Sequence, residues 1–193
     1  MLLLVRHGET EPNRLGRFLG RSDPPLTELG RQQARALAEV LPAPTLVISS
    51  PLQRARDTAS AFGQPVQVDD RWTELDYGEL DGHVPSDVPE PVWKRWRSDV
   101  HYGPHGAETL AALGVRVRAA CDAVAVAART STVVVVTHVS PIKAALAWAL
   151  EVPDTIAWRM YVEDAGVSRI DLDERGPVVR WFNRDPARAR EAR

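Results

Sequence analysis

Cysteine is almost missing from this 193-residue chain: Cys121 stands alone, so no internal disulfide can staple the fold. That usage suits a reducing compartment, and the cytoplasm is the expected home. Cys121 also lies in a long Ala/Val-rich stretch, where it reads as small apolar filler rather than a nucleophile. Long hydrophobic runs are missing too, and nothing approaches the ~20 apolar residues that cross a bilayer. The first apolar run, Leu2 to Val5, meets Arg6 too soon to read as a secretory signal. Neither sign of charge dominates: a net charge of −2 gives no long-range attraction to nucleic acid or to an anionic membrane. Lysine is scarce, with Lys94 and Lys143 the only two among 24 basic residues. In so arginine-rich a chain, a single arginine says little by itself. No Cys or His cluster has metal-ligand spacing; His83, His101 and His105 are scattered through a Pro-rich stretch. No metal or cofactor is expected.

What is there is ordinary in amount and informative in order. The chain is 44% hydrophobic and 26% charged, which suits one domain with a sizeable core, expected over residues 1–193. Leu2-Leu3-Leu4-Val5, Thr45-Leu46-Val47-Ile48-Ser49 and Val133-Val134-Val135-Val136-Thr137 are apolar runs without helical period. They read as buried strands. Helical spacing predicts helices from Thr27 to Leu41, with Thr27 as N-cap, and from about Leu52 to Phe62. Two more are expected, from about Ala107 to Ala128 and from Pro141 to Leu150. Val66 to Val68 reads as a short strand, and Asp69 to Gly82 as loop. Val167 to Leu172 and Pro177 to Phe182 alternate around Glu174-Arg175-Gly176, as a hairpin or edge pair would. Strands alternating with helices predict an α/β fold, a three-layer α/β/α sandwich with a mostly parallel central sheet. Residues 83–105 read as an excursion over one face, and 186–193 as a frayed tail.

The three buried strands all lead into cationic or titratable side chains. The first ends on Arg6-His7, the second passes through Ser49-Ser50-Pro51 to Arg54, and the third ends on His138. If the strands are parallel, these residues share the carboxyl edge of the sheet, where open α/β sheets bind ligands. Each His alone reads as a satisfied strand-end histidine, and each Arg alone as a solvated cation. Two imidazoles and two guanidiniums in one pocket instead suit a phosphate dianion, which takes charge-assisted hydrogen bonds.

These residues also carry a family resemblance. Leu4-Val5-Arg6-His7-Gly8-Glu9-Thr10 with Asn13 resembles the signature of the histidine phosphatase superfamily, the phosphoglycerate-mutase-like proteins. Gly20-Arg21-Ser22-Asp23-Pro24-Pro25-Leu26-Thr27, Ser49-Ser50-Pro51-Leu52-Gln53-Arg54-Ala55, Thr73-Glu74-Leu75-Asp76-Tyr77-Gly78 and Val134-Val135-Val136-Thr137-His138 resemble its further blocks, in family order. The match spans residues 1 to about 150, and residues 151–193 add little beyond compatible strands. Two positions depart from the pattern: Val139 stands where Gly usually follows the second histidine, and Ala107-Glu108-Thr109 where many members have Gly-Glu-Ser. The Val-Ser-Pro-Ile-Lys run after His138 resembles a phosphatase branch related to the α-ribazole phosphatases.

The resemblance implies a phosphoglycerate-mutase-like fold and a metal-independent phosphatase acting on a small phosphorylated metabolite. His7 would be the nucleophile, and Arg6, Asn13, Arg54 and His138 would hold the phosphoryl oxygens. Glu74 would protonate the departing alkoxide and later take a proton from water. Asp76, Glu79 and Asp81 are its rivals, read here as solvated loop carboxylates. Glu9 is expected to fix the loop or an arginine. Trp93 and Trp96, three apart, fit a short helix that either shapes the leaving-group site as a lid or anchors the excursion by packing. The alternatives are a phosphoglycerate mutase and a non-catalytic binder of phosphorylated ligands. Either a monomer or a homodimer is compatible with the sequence.

Overall fold

A computed structural model describes residues 1–185. The apolar runs become strands because a continuous apolar strand is satisfied only when both faces are covered. Strands β1 (Leu2–Arg6), β2 (Leu46–Ser49), β3 (Val66–Val68), β4 (Val133–Thr137), β5 (Val167–Asp173) and β6 (Gly176–Arg184) form one sheet in the order β3-β2-β4-β1-β5-β6. Neighbours among β3, β2, β4 and β1 pair in parallel, while β5 is antiparallel to both β1 and β6. Among the described strands, only β5 runs against the rest.

Side chains alternate between the two faces with the strand period of two. Leu2, Leu4, Val133 and Val135 join one core cluster with Leu113, Val117 and Cys121 of α5 (Leu110–Thr130) and Ile142 and Leu146 of α6 (Val139–Leu150). Leu3, Val5, Val134 and Val136 join the other with Leu37 of α2 (Glu28–Val40) and Ala55 and Ala59 of α3 (Gln53–Ser60). The result is the expected α/β/α sandwich. Each fully buried Leu, Ile or Val side chain contributes on the order of 1.5–3 kcal/mol.

Several boundaries differ from the sequence reading, each for a local reason. Thr27 caps α2 as expected, accepting from the Gly30 N–H. The helix expected from Ala107 starts at Leu110, because the Thr109 side chain accepts from the Ala112 N–H and sets the N-cap there. The helix expected from Pro141 starts at Val139; Pro141 falls in the first turn, where its missing N–H costs no hydrogen bond. The segment read as loop from Asp69 to Gly82 holds two 3₁₀ turns, Asp70–Trp72 and Gly78–Leu80. A short helix α1 (Glu11–Arg14) follows the first strand, and α4 (Glu90–Ser98) lies inside the excursion. The tail 186–193 lies outside the described residues. No helix among the described residues is long and apolar enough to cross a membrane.

Strand register brings the polar strand ends together. Arg6 lies opposite Thr137, and Ser49 opposite Val136. The ladder continues one step past each strand: the His7 N–H donates to Thr137 O at 3.0 Å and the Ser50 N–H to Val136 O at 3.0 Å. His7, His138 and Ser50 therefore leave three adjacent strands at one level, on the carboxyl edge of the sheet.

Candidate active site

At that edge the His7 and His138 rings meet edge to face, with centroids 5.0 Å apart. His7 Nδ1 lies 2.7 Å from the carbonyl of Gly8, an acceptor only, so Nδ1 carries the proton. Nε2 is then the lone-pair nitrogen, and Arg54 Nε donates to it at 3.2 Å. Burial, then the Arg54 and Arg6 guanidiniums, hold His7 well below the ordinary imidazole range, so it is neutral at neutral pH. His138 is lowered likewise, by burial first and then by Arg54 and His7. Its Nε2 sits 2.7 Å from Ser50 Oγ, and its buried Nδ1 has no partner among the described residues.

Arg54, the second residue of α3, is fully buried. Its terminal nitrogens donate to the carbonyls of Ser22 at 2.7 Å and Gly20 at 2.8 Å. Burial pushes it down to about 10, so it remains a cation at neutral pH. Asp81 braces the loop carrying those carbonyls, accepting from the N–H groups of Gly20 and Ser22. Asp81 is thus no solvated loop carboxylate, contrary to the sequence reading. Asp76 is also engaged, accepting from the Gly78 N–H at 2.8 Å, and of the three rivals only Glu79 is exposed.

Arg6 closes the other side. It donates to Val162 O at 2.7 Å and pairs with Asp164 at 2.7 Å, while its buried Nε finds no acceptor among the described residues. Burial pushes the Asp164 carboxyl up against the pull of Arg6. The end of β1 is also tied by Arg6 N–H to Gly166 O at 3.0 Å and by Ala165 N–H to His7 O at 3.2 Å. Residues 162–166 therefore build the site, although the sequence reading gives residues beyond 150 little weight. Glu9 fixes the loop, as expected: its carboxylate accepts from the Thr27 hydroxyl at 2.8 Å. Gly8 and Gly30 are required there, because a Cβ on either would strike the backbone of the other segment. Asn13 is set differently from the others: its Oδ1 accepts from the Thr10 N–H and hydroxyl in the cap of α1.

Glu74 is buried beside these groups. Its Oε1 accepts from the N–H groups of Leu75 at 2.7 Å and Ser140 at 3.1 Å, the latter in the first turn of α6. Arg116 of α5 holds the backbone beneath it, donating to the carbonyls of Arg71, Thr73 and Glu74. Glu108 orients Arg116 with two 2.8 Å hydrogen bonds. Sequence reasoning misses Arg116 and Asp164 because only tertiary contact distinguishes them from the chain's other charged residues. Among the described residues no group of three His, Cys, Asp or Glu side chains could hold a metal ion.

The chain is similar in sequence and fold to known proteins. The family model of the histidine phosphatase superfamily (branch 1) matches residues 2–185. The bifunctional protein Rv2228c of Mycobacterium tuberculosis is 37% identical over 177 residues, covering 86% of this chain and 49% of that protein. The chain thus spans about half the length of the mycobacterial relatives it matches. Phosphoserine phosphatase 1 of Hydrogenobacter thermophilus is 35% identical over 192 residues, covering 94% of this chain and 91% of that one. The crystal structure of a phosphoserine phosphatase mutant from Entamoeba histolytica, in complex with phosphoserine, superposes with a TM-score of 0.88. It is 26% identical and covers 95% of this chain and 96% of that one.

Proposed function

Since the chain belongs to the histidine phosphatase superfamily, we propose that it hydrolyses small phosphomonoesters through a phosphohistidine on His7, with Glu74 as general acid and base. The observation that carries this reading is the tautomer of His7: Nδ1–H is tied to Gly8 O, which leaves Nε2 as a neutral nucleophile beside the Arg54 guanidinium. In the first step Nε2 bonds to phosphorus in line with the departing oxygen, and Glu74 supplies the proton that oxygen needs. In the second, Glu74 takes a proton from water as the water oxygen displaces Nε2, releasing phosphate. Arg6, Arg54 and His138 hold the non-bridging oxygens; charge spread over those oxygens is the main load in phosphoryl transfer. The unmatched Arg6 Nε–H and His138 Nδ1 are suited to that role. Asn13 contributes through its amide nitrogen, since its Oδ1 is occupied by Thr10. None of these steps uses a metal, so turnover is expected to survive EDTA.

The test is turnover of p-nitrophenyl phosphate by the wild type and by His7→Ala, with acid-labile radiolabel trapped on the protein by rapid quench. The wild type is expected to turn over and to label; His7→Ala is expected to do neither. Undiminished turnover by His7→Ala would remove the nucleophile. Primer-dependent interconversion of 3- and 2-phosphoglycerate faster than phosphate release would replace the hydrolase by a mutase.

A further inference from the structure

One of the two lysines lies on α6 just beyond Val139 and Ser140. Lys143 is half-buried and makes no hydrogen bond or ion pair with any described residue. Among the described residues the one carboxylate that acts on it is that of Glu74, which already accepts from Leu75 and Ser140, while Arg6 repels it. Burial holds its ammonium below the ordinary lysine range. Lys143 borders a cavity of about 60 Å³, together with Tyr77, Ser140, Trp96 and Trp158. The indole N–H groups of Trp96 and Trp158 are buried and have no acceptor among the described residues. No Asp or Glu among the described residues lines this cavity, and Phe18, Leu75 and Leu110 complete an apolar wall. Buried donors left unanswered call for an acceptor that the protein does not supply.

Resting on the phosphatase reading, we infer that this cavity is the leaving-group site and that Lys143 recognises a carboxylate on the alcohol half of the substrate. Ser140 links the two sites, since its N–H bonds Glu74 and the residue lines the cavity. The ester oxygen that Glu74 must protonate therefore lies at the cavity's edge. The cavity of about 60 Å³ beside Lys143 has room for a carboxylate on a short carbon chain. The substrate class is a phosphorylated short hydroxy acid. An ammonium against a carboxylate in a largely apolar pocket is a strong discriminator, because low dielectric magnifies the pair.

The matched probes are 3-phosphoglycerate and glycerol 3-phosphate, which differ by a carboxylate in place of a hydroxymethyl group. The wild type is expected to favour 3-phosphoglycerate in kcat/KM by about 10- to 100-fold, the range of a hydrogen bond to a charged group. Lys143→Met should bring that ratio close to one by raising KM for 3-phosphoglycerate, with a much smaller loss on p-nitrophenyl phosphate, which carries no carboxylate, and Lys143→Arg should restore part of the preference. A wild-type ratio near one, or an equal loss on all three substrates, would overturn the assignment. Calorimetric titration of both probes into His7→Ala and His7→Ala/Lys143→Met separates the two readings. If the wild type hydrolyses nothing but the carboxylate preference in binding is lost with Lys143, the phosphatase reading falls and the Lys143 site stands. Hydrolysis without any carboxylate preference overturns the Lys143 site alone.

Discussion

Arg54 illustrates how much of a side chain's role in the proposed chemistry is fixed by what holds it. Its three donating nitrogens are used separately, with Nε facing His7 and the terminal pair resting on the carbonyls of Ser22 and Gly20. A lysine would keep the charge but could not reproduce that planar fork. Arg54→Lys is expected to lower kcat/KM for p-nitrophenyl phosphate by about 10²-fold, in the range of losing one transition-state donor. Steady-state kinetics check this, and a loss under threefold would mean the fork is dispensable. Arg54 and His7 are legible in the sequence because each belongs to a local motif at a strand end. Arg116, Asp164 and Lys143 are not. They lie on surfaces of α5, α6 and the loop before β5 where a charged residue is the ordinary choice, and only contacts across more than 40 residues single them out.

Among the elements, the central strands are the easiest to read. β1, β2 and β4 are covered on both faces, so their sequences are apolar up to their last residue, while β5 and β6 toward the edge show the weaker alternation expected there. The excursion is harder, because its prolines break the helical period around Trp93 and Trp96. In the structure the pair packs together, with ring centroids 5.3 Å apart and Trp96 buried in the core, where it also borders the Lys143 cavity. Helix starts depart from the sequence reading where a cap overrides composition. Ala107 favours a helix, but the Thr109 hydroxyl ends the extended segment and begins α5. Thr109→Ala is expected to cost about 1 kcal/mol, or a Tm decrease of roughly 2–4 °C for a domain of this size. kcat on p-nitrophenyl phosphate should not change. Thermal denaturation followed by circular dichroism checks the first part, and an unchanged Tm would show that α5 begins without the cap.

For the molecule as a whole, folding places two imidazoles where they resist protonation. The unfolded chain takes up those protons below about pH 6.5, the ordinary imidazole value, while the folded chain does not. Stability is therefore full above that pH and falls as the pH drops through it, by up to about 1.4 kcal/mol per pH unit for each histidine. Asp164 works the other way lower in the range, since its carboxyl is raised on folding. Urea unfolding at pH 7.5, 6.5 and 5.5 should show this decline, and His138→Gln should remove about half of it. A midpoint that is flat across that range would mean the imidazoles are charged inside the fold.

β1 is the strand where the parallel and antiparallel parts of the sheet join. The peptide groups around His7 are consequently gripped from both sides, by Thr137 on one and by Ala165 and Gly166 on the other. The proposed nucleophile, seated on such a seam, has a backbone with little freedom to move. In the proposed reaction the anvil beneath stays still, and any opening for a substrate falls to the walls around it.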